Sequence, residues 1–336
     1  MTVPTPETER GSAGPGAGRA RLGVAVKIGF GLLVLGFGGY YIASRWVGLT
    51  AALRQAQPGW VVGAVVLAAA GQWVAMSGFR VLLQAAAPDE LPRLPVAKLY
   101  FVSQLGKYIP GSVWPILAVA SMGRRFGISR RAAATAGALS LVFSLVAGAV
   151  VGSVGTVLGS AADRPALFWL LAVPVLAVLF VQPRIIVPVV DRLLSMLRRD
   201  PIDLGLTAPT VRRAVGWPAL SWILLGGQCW CLVCALGGDV WLSLAPALGG
   251  FALAYVAGTL FIPAPGGIGV RETVLTVALG GIVGADSAFG TDQIVVVVLM
   301  SRVLLALLDF AQTGVVMLAV TRGERERTGR GKGAAN

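Results

Sequence analysis

The chain has 336 residues, of which 56% are hydrophobic and only 13% are charged, and its mean hydropathy is +0.79. This composition excludes a soluble globular domain, because the apolar runs reach the roughly 18 residues that a helix needs to cross a bilayer. The runs are continuous and rich in Leu, Ala and Val, which argues against alternating barrel strands. The absence of histidine excludes imidazole catalysis and His-ligated metal. We therefore expect an all-α polytopic membrane protein.

In chain order, residues 1–21 are predicted to form a disordered cytoplasmic tail, because they are rich in Gly, Pro, Thr, Ala and Arg. Residues 183–213 are predicted to be a basic amphipathic cytoplasmic loop, and residues 321–336 a disordered basic cytoplasmic tail. Between these segments lie six apolar runs of bilayer-spanning length. They are Leu22–Ser44, Gly59–Leu83, Ala132–Leu158, Pro165–Val181, Val215–Leu236 and Ile294–Val320.

Two further apolar regions are interrupted by proline and glycine. The first, residues 94–127, contains "GKYIPGSVWP"; the second contains "FIPAPGGIGVRE", Phe261 to Glu272. Each consists of two apolar pieces too short to span the bilayer singly. Non-helical backbone at membrane depth is tolerated only where protein or a water-filled cavity shields it. The pattern predicts two re-entrant broken-helix hairpins, although a pair of structural kinks without a ligand is the alternative.

The arrangement of spans and hairpins repeats along the chain. Residues 22–159 and 160–320 each contain three predicted spans and one broken hairpin, so an odd number of crossings inverts the second repeat relative to the first. With both termini cytoplasmic, the predicted inner segments hold 21 Lys and Arg residues. The outer segments hold only Arg45, Arg54 and Arg164, as the positive-inside rule requires. Inverted repeats with paired broken helices are typical of transporters that bind substrate near the midplane.

Five ionisable residues lie in predicted membrane segments: Lys107, Arg271, Glu272, Arg302 and Asp309. Such residues are costly and usually functional. Three cations against two anions leave a surplus positive charge that suits a phosphate; a purely structural charge network is the alternative. The predicted substrate-binding residues are Lys107, Tyr108, Pro110, Gly111, Pro265, Gly266, Gly267, Gly269, Arg271 and Glu272. Gating or charge balance is assigned to Arg302, Asp309 and Gln104, and Glu272 could instead neutralise Arg271 or Arg302.

The three cysteines, Cys229, Cys231 and Cys234, are close together in the sequence. A thiolate metal site would need them on one face, but Cys229 and Cys231 point to different faces of a helix. We interpret them as small apolar packing residues and expect neither a metal nor another cofactor.

The motifs "GKYIPGSVWP" (Gly106 to Pro115) and "PGGIGVRE" (Pro265 to Glu272) resemble the lysylphosphatidylglycerol synthase transmembrane region family. This family includes the flippase half of the bacterial multiple peptide resistance factor. The resemblance covers about residues 22–320. It implies a protein of the bacterial cytoplasmic (inner) membrane that translocates anionic, aminoacylated or lipid-linked headgroups. Aminoacyl-transferring members carry a soluble domain after the membrane region, so we do not expect lysyl transfer by this chain.

The predicted function is therefore that of a membrane lipid flippase or transporter, not an enzyme, whose partners are phospholipids or lipid-linked substrates and not nucleic acid. The sequence contains no GxxxxGK[ST] phosphate-binding loop, so transport would be passive or ion-coupled. Two alternatives remain. The chain could be a non-catalytic membrane partner of a separately encoded lipid-modifying transferase, or a membrane glycosyl or acyl transferase. Against the second stand the missing histidine and the absence of an Asp-x-Asp pair.

Overall fold

A computed structural model gives the fold of the protein. It describes residue 50 and residues 54–108, 114–160, 169–182, 206–261, 267, 269–282 and 289–333, with short stretches at 184–186, 188 and 192. These residues all belong to one unit, Val47–Asn336. Within the described ranges the regular structure is entirely helical, which confirms the predicted all-α class.

The helices vary widely in length, and four of those in the described part of the chain are long and apolar enough to cross a membrane: α1, α4, α6 and α9. They confirm four predicted spans. In chain order the α-helices are α1 (Pro58–Ala85), α2 (Arg93–Leu105), α3 (Trp114–Met122), α4 (Arg130–Ser160), α5 (Ala172–Phe180), α6 (Ala208–Ala235), α7 (Leu244–Leu260), α8 (Val270–Gly280) and α9 (Thr291–Gly333), with 3₁₀ turns at Gly106–Tyr108 and Gly123–Phe126.

The other two predicted spans have different outcomes. Leu22–Ser44 lies outside the described residues. In place of Pro165–Val181 the described residues contain α5, which has 9 residues and is too short to cross a bilayer by itself. Pro174 lies in the first turn of α5, where its missing N–H costs nothing, and Pro183 follows soon after its end. These two prolines restrict how far an α-helix can extend here.

Helix α6 begins earlier than the predicted span at Val215. It starts at Ala208, where the Thr207 hydroxyl caps it by accepting a hydrogen bond from the Thr210 N–H at 3.4 Å. The last six residues of the predicted basic loop, 208–213, are therefore the first turns of a helix. Of the four candidate spans, α6 has the largest share of buried residues, so it is the central helix of the described part.

Helices α1 and α6 pack antiparallel along most of their lengths. The Gln57 N–H donates to the carbonyl of Ala235 at 3.0 Å. Further along, the Ser221 hydroxyl donates to the carbonyl of Gly71 at 2.8 Å. Gly78 faces Pro218, and a Cβ at Gly78 would lie 2.8 Å from the Pro218 ring. Small residues thus allow the close approach on which membrane helix packing depends.

The first helix of each broken pair packs on the last long helix of the other predicted repeat. Helix α2 packs antiparallel on α9, where the Thr313 hydroxyl donates to the carbonyl of Phe101 at 3.3 Å. Helix α7 packs antiparallel on α4, where a Cβ at Gly155 would lie 2.7 Å from the Cα of Gly249. The second helices pack within their own repeat, α3 on α4 and α8 on α9. The packing pattern is therefore reciprocal between the two parts of the chain.

Candidate functional site

The described helices end on either side of the two regions where proline and glycine predict a break. Helix α2 and its 3₁₀ turn end at Tyr108, and α3 begins at Trp114. Helix α7 ends at Leu260, and α8 begins at Val270. Four predicted site residues lie outside the described residues: Pro110, Gly111, Pro265 and Gly266.

Gly267 and Gly269 shape the chain as it enters α8. Both have left-handed backbone conformations, with φ of 68° and 88°, which residues with a Cβ rarely adopt. Gly267 also contacts the end of α7, because a Cβ at this position would lie 2.7 Å from the Cα of Gly258. Glycine is required here for both reasons.

Glu272 fixes the start of α8 and connects it to α9. One carboxylate oxygen, Oε2, accepts a hydrogen bond from the Gly269 N–H at 2.6 Å. This contact satisfies one of the free N–H groups at a helix start, and the negative charge suits the helix dipole. The other oxygen, Oε1, forms an ion pair with the Arg302 guanidinium. Of the two arginines that Glu272 could neutralise, Arg271 and Arg302, it therefore pairs with Arg302.

Asp309 on α9 accepts contacts from three polar side chains. The Lys107 ammonium lies 2.6 Å from its Oδ2, and the Tyr108 hydroxyl donates to the same oxygen at 2.6 Å. The Gln72 amide of α1 donates to Oδ1 at 3.0 Å. Asp309 is only 2% exposed, so its charge depends on these partners. Gln104, the remaining predicted charge-balance residue, is half-buried on α2, three residues before Lys107.

Arg271 is held by aromatic rings. Its guanidinium carbon lies 5.0 Å from the ring centroids of both Phe251 and Tyr255, one turn apart on α7. Trp222 of α6 supports Tyr255 through an edge contact at 4.8 Å. The residues that the structure describes provide the Arg271 guanidinium with neither a carboxylate within salt-bridge distance nor a hydrogen-bond acceptor. Among the described residues, the contacts that hold this side chain are therefore cation–π contacts.

The charged groups of the two breaks form one cluster around α9. Arg271 lies within electrostatic range of Tyr108 and Asp309, and Arg302 lies within the same range of Arg271 and Tyr108. Lys107, Arg271, Glu272, Arg302 and Asp309 therefore lie in one region of the described structure, and their functional roles stay predictions.

The cluster carries one uncompensated positive charge. Lys107 pairs with Asp309 and Arg302 pairs with Glu272, so the surplus falls on Arg271. The undescribed residues of the two breaks, 109–113, 262–266 and 268, contain no ionisable side chain. The alternative of a purely structural charge network therefore accounts for Lys107 and Arg302, which pair with carboxylates, but not for Arg271.

Sequence reasoning missed the residues that support this cluster. Gln72 was not singled out, although a glutamine inside an apolar span is itself an indication of a polar partner. Phe251 and Tyr255 have a spacing of four residues, which is typical of any buried helix face, so nothing in the sequence distinguishes them. Gln312, one turn after Asp309, is also buried, and both of its amide atoms lack a partner among the described residues.

Cys229, Cys231 and Cys234 are buried on α6, none of them more than 3% exposed. Cys229 and Cys231 belong to the apolar core that includes residues of α1, α6, α7 and α9. Their position agrees with the interpretation as packing residues. Among the described residues, no three His, Cys, Asp or Glu side chains are grouped so that they could hold a metal ion.

These features define a multi-pass α-helical membrane protein in which two interrupted helix pairs meet a charged long helix. Residues 24–311 match the family model for the lysylphosphatidylglycerol synthase TM region, and the chain belongs to this family. A search of curated proteins gave no match.

Proposed function

We propose that this protein translocates lipids with anionic headgroups across the bacterial cytoplasmic membrane, and that it acts as a transporter rather than an enzyme. The observation that carries the proposal is Arg271. It is a guanidinium beside a helix interruption, held by two aromatic rings and without an anionic partner among the described residues. A lipid phosphate is the partner that such a group lacks.

The architecture that we propose has six spans and two re-entrant hairpins in an inverted repeat, with both termini in the cytoplasm. The reciprocal packing of α2 on α9 and of α7 on α4 supports this arrangement. So does the antiparallel contact of α1 with α6, which occupy equivalent places in the two repeats and have 28 residues each. In such a protein the headgroup would cross near the helix interruptions while the acyl chains stay in the bilayer.

The roles of the two cations nearest the breaks differ in this proposal. Lys107 and Arg271 were both expected to contact phosphate, but Lys107 already has the Asp309 carboxylate as its partner. Arg271 is therefore the primary phosphate ligand. Lys107 and Asp309 hold α2 against α9, and Arg302 and Glu272 hold α8 against α9.

A transport assay with the full chain in proteoliposomes tests the proposal. Acyl-labelled phosphatidylglycerol is incorporated at trace level in phosphatidylcholine vesicles, and a membrane-impermeant quencher measures the fraction that changes leaflet. We expect transport by the wild type and a loss of about tenfold or more in Arg271→Gln, because a phosphate contact by guanidinium is worth more than about 1.4 kcal/mol. The matched control is Arg213→Gln, which removes an exposed arginine of α6.

Three results would contradict the proposal in different ways. Equal transport by Arg271→Gln and the wild type would refute the site. A protein that moves no lipid when reconstituted alone, but does so with a co-reconstituted transferase, would favour the role of a non-catalytic partner. Chemical modification of the labelled lipid, seen by chromatography after the assay, would favour an enzyme.

A further inference from the structure

We propose that the buried amides of Gln72 and Gln312 form a second subsite beside Asp309, which binds a hydrogen-bond donor that the headgroup carries beyond its phosphate. This inference rests on the proposed lipid translocation and specifies the chemistry of its substrate. Phospholipid headgroups supply such a donor in two forms, as the hydroxyls of a glycerol or as an ammonium group. The evidence is a set of buried amide atoms that the described part of the protein leaves without partners.

Gln312 is a buried glutamine of α9 whose amide binds nothing among the described residues. Neither its Oε1 nor its Nε2 has a hydrogen-bond partner there, and the residue is only 8% exposed. A buried amide without a partner has lost its hydration and gained nothing in return, so folded proteins rarely contain one. This amide can both donate and accept, and it therefore points to a ligand with a polar group.

Gln72 of α1 adds an acceptor in the same place. Its Nε2 donates to Oδ1 of Asp309 at 3.0 Å, and the amide cannot be turned round, because an ionised carboxylate only accepts. The Oε1 of Gln72 is left without a partner among the described residues, and Gln72 is also only 8% exposed. Gln312 follows Asp309 by three residues on α9, a spacing that makes side chains neighbours on a helix. Both glutamines therefore lie beside the Asp309 carboxylate.

The unpartnered amide atoms suit the polar end of a headgroup. Two neighbouring hydroxyls of a glycerol can bind both ends of the Gln312 amide, one donating to Oε1 and the other accepting from Nε2. An ammonium group can donate to the Oε1 atoms of Gln72 and Gln312 and is attracted by the Asp309 carboxylate. A headgroup that ends in a methyl group offers no donor, so these amides would stay buried and unpaired.

The subsite lies near the proposed phosphate ligand. Arg271 is within electrostatic range of Asp309, so a headgroup whose phosphate contacts Arg271 can direct its polar end towards the two amides. Lys107 and Tyr108 both contact Asp309 and are themselves partly exposed. A ligand can therefore approach the surroundings of the carboxylate from the end of α2.

Wild-type protein tests the inference with lipids that differ only in the group attached to the phosphate. Full-length protein is reconstituted in phosphatidylcholine vesicles with one trace lipid at a time: phosphatidylglycerol, phosphatidylethanolamine or phosphatidylethanol, all with the same labelled acyl chain. Phosphatidylethanol has the charge of phosphatidylglycerol but no donor in its headgroup, and protein-free vesicles give the background rate. We expect phosphatidylglycerol, phosphatidylethanolamine or both to change leaflet at least about fivefold faster than phosphatidylethanol. The faster lipid identifies the donor as hydroxyl or ammonium.

Gln312→Leu provides an independent measurement, because it removes the amide and keeps an apolar side chain of similar size. The rate of the faster lipid is divided by the rate of phosphatidylethanol within each variant, so that loss of active protein cancels. We expect Gln312→Leu to lower this ratio by about fivefold and to leave the unfolding temperature equal or higher, since an unpaired buried amide is removed. The matched control is Gln228→Leu, which removes a buried glutamine of α6 that already pairs with Ser301. Its ratio is expected to equal that of the wild type.

The outcomes distinguish the inference from the proposed function. Transport of phosphatidylethanol as fast as both other lipids, or an unchanged ratio in Gln312→Leu, would overturn the inference and leave lipid translocation in place. Transport of none of the lipids would overturn the proposed function itself. If Gln312→Leu does not fold, as judged by its elution profile, Gln312→Met takes its place, because it keeps an unbranched side chain.

Discussion

The Lys107 ammonium lies 2.6 Å from Oδ2 of Asp309, so the end of α2 is joined by an ion pair to the middle of α9. Asp309 is almost fully buried, whereas the Lys107 side chain is 31% exposed. The pair thus consists of a buried anion and a partly exposed cation. Removal of the cation would leave the carboxylate with neutral donors only, from Tyr108 and Gln72.

Lys107→Met is expected to destabilise the protein by about 3–5 kcal/mol, because an uncompensated buried charge costs more than the pair contributes. The double variant Lys107→Met/Asp309→Asn is expected to recover a large part of this loss. Thermal unfolding in detergent measures both. If the two single substitutions were additive in the double variant, the ion pair would contribute no coupling energy.

Substitution of the aromatic support of Arg271 is expected to reduce lipid transport while the charge is retained. Tyr255→Leu removes one of the two rings beneath the guanidinium, a loss of about 1–2 kcal/mol at a desolvated site. The leaflet-exchange rate of labelled phosphatidylglycerol measures the effect, which we expect to be about fivefold or more. Trp60→Leu is a suitable control, since it removes an aromatic side chain that packs on Trp230 instead. Equal rates for both variants would show that the rings do not orient Arg271.

Gly267→Ala is expected to destabilise the second break. The substitution places a Cβ on a residue with φ of 68° and brings it to 2.7 Å from the Cα of Gly258. Backbone strain of this kind costs about 1–3 kcal/mol. The control is Gly280→Ala at the exposed end of α8, where a Cβ meets nothing within 4 Å. A lower unfolding temperature for Gly267→Ala alone is the expected result, and equal temperatures would contradict it.

Two glycines of α4, one that contacts α7 and one that does not, can be compared within a single helix. A Cβ at Gly155 would lie 2.7 Å from the backbone of Gly249, whereas a Cβ at Gly137 would be 3.5 Å from the Val119 side chain. Gly155→Ala is therefore expected to destabilise the protein by about 1–3 kcal/mol through overpacking. Gly137→Ala should be tolerated, since its contact is an ordinary van der Waals distance. Thermal unfolding of the two variants in one detergent makes the comparison, and a reversed order would contradict it.

Much of the fold could be predicted because hydropathy and helix breakers act locally. Four spans were predicted correctly from the length of their apolar runs, and the helix interruption before α8 from Pro and Gly, whereas residues 109–113 of the first predicted break lie outside the described residues. The start of α6 was missed, since the charge of Arg212 and Arg213 by itself favours a loop. Of the predicted span Pro165–Val181, the described residues contain the nine-residue α5, and residues 165–168 lie outside them.

The candidate site was only partly predictable, because partner choice is a tertiary property. Residues seven apart on one helix are separated by about 10 Å, so Arg302 and Asp309 cannot pair with each other. Because burying an unpaired charge is costly, the sequence indicated that each of them needs another partner. The sequence left Glu272 with two possible partners, and only the packing of α8 on α9 selects Arg302. The aromatic support of Arg271 depends on the antiparallel approach of α7 and α8, which no local pattern encodes.

The two reciprocal contacts, α7 on α4 and α2 on α9, differ in chemistry. Gly155 and Gly249 bring backbone against backbone, and water has no way to replace that contact. Lys107 and Asp309 form polar bonds that water or a phosphate can exchange. We therefore expect the two contacts to differ in rigidity: α7 stays fixed on α4, and α2 is the helix that can separate from α9 if the protein transports lipid as proposed.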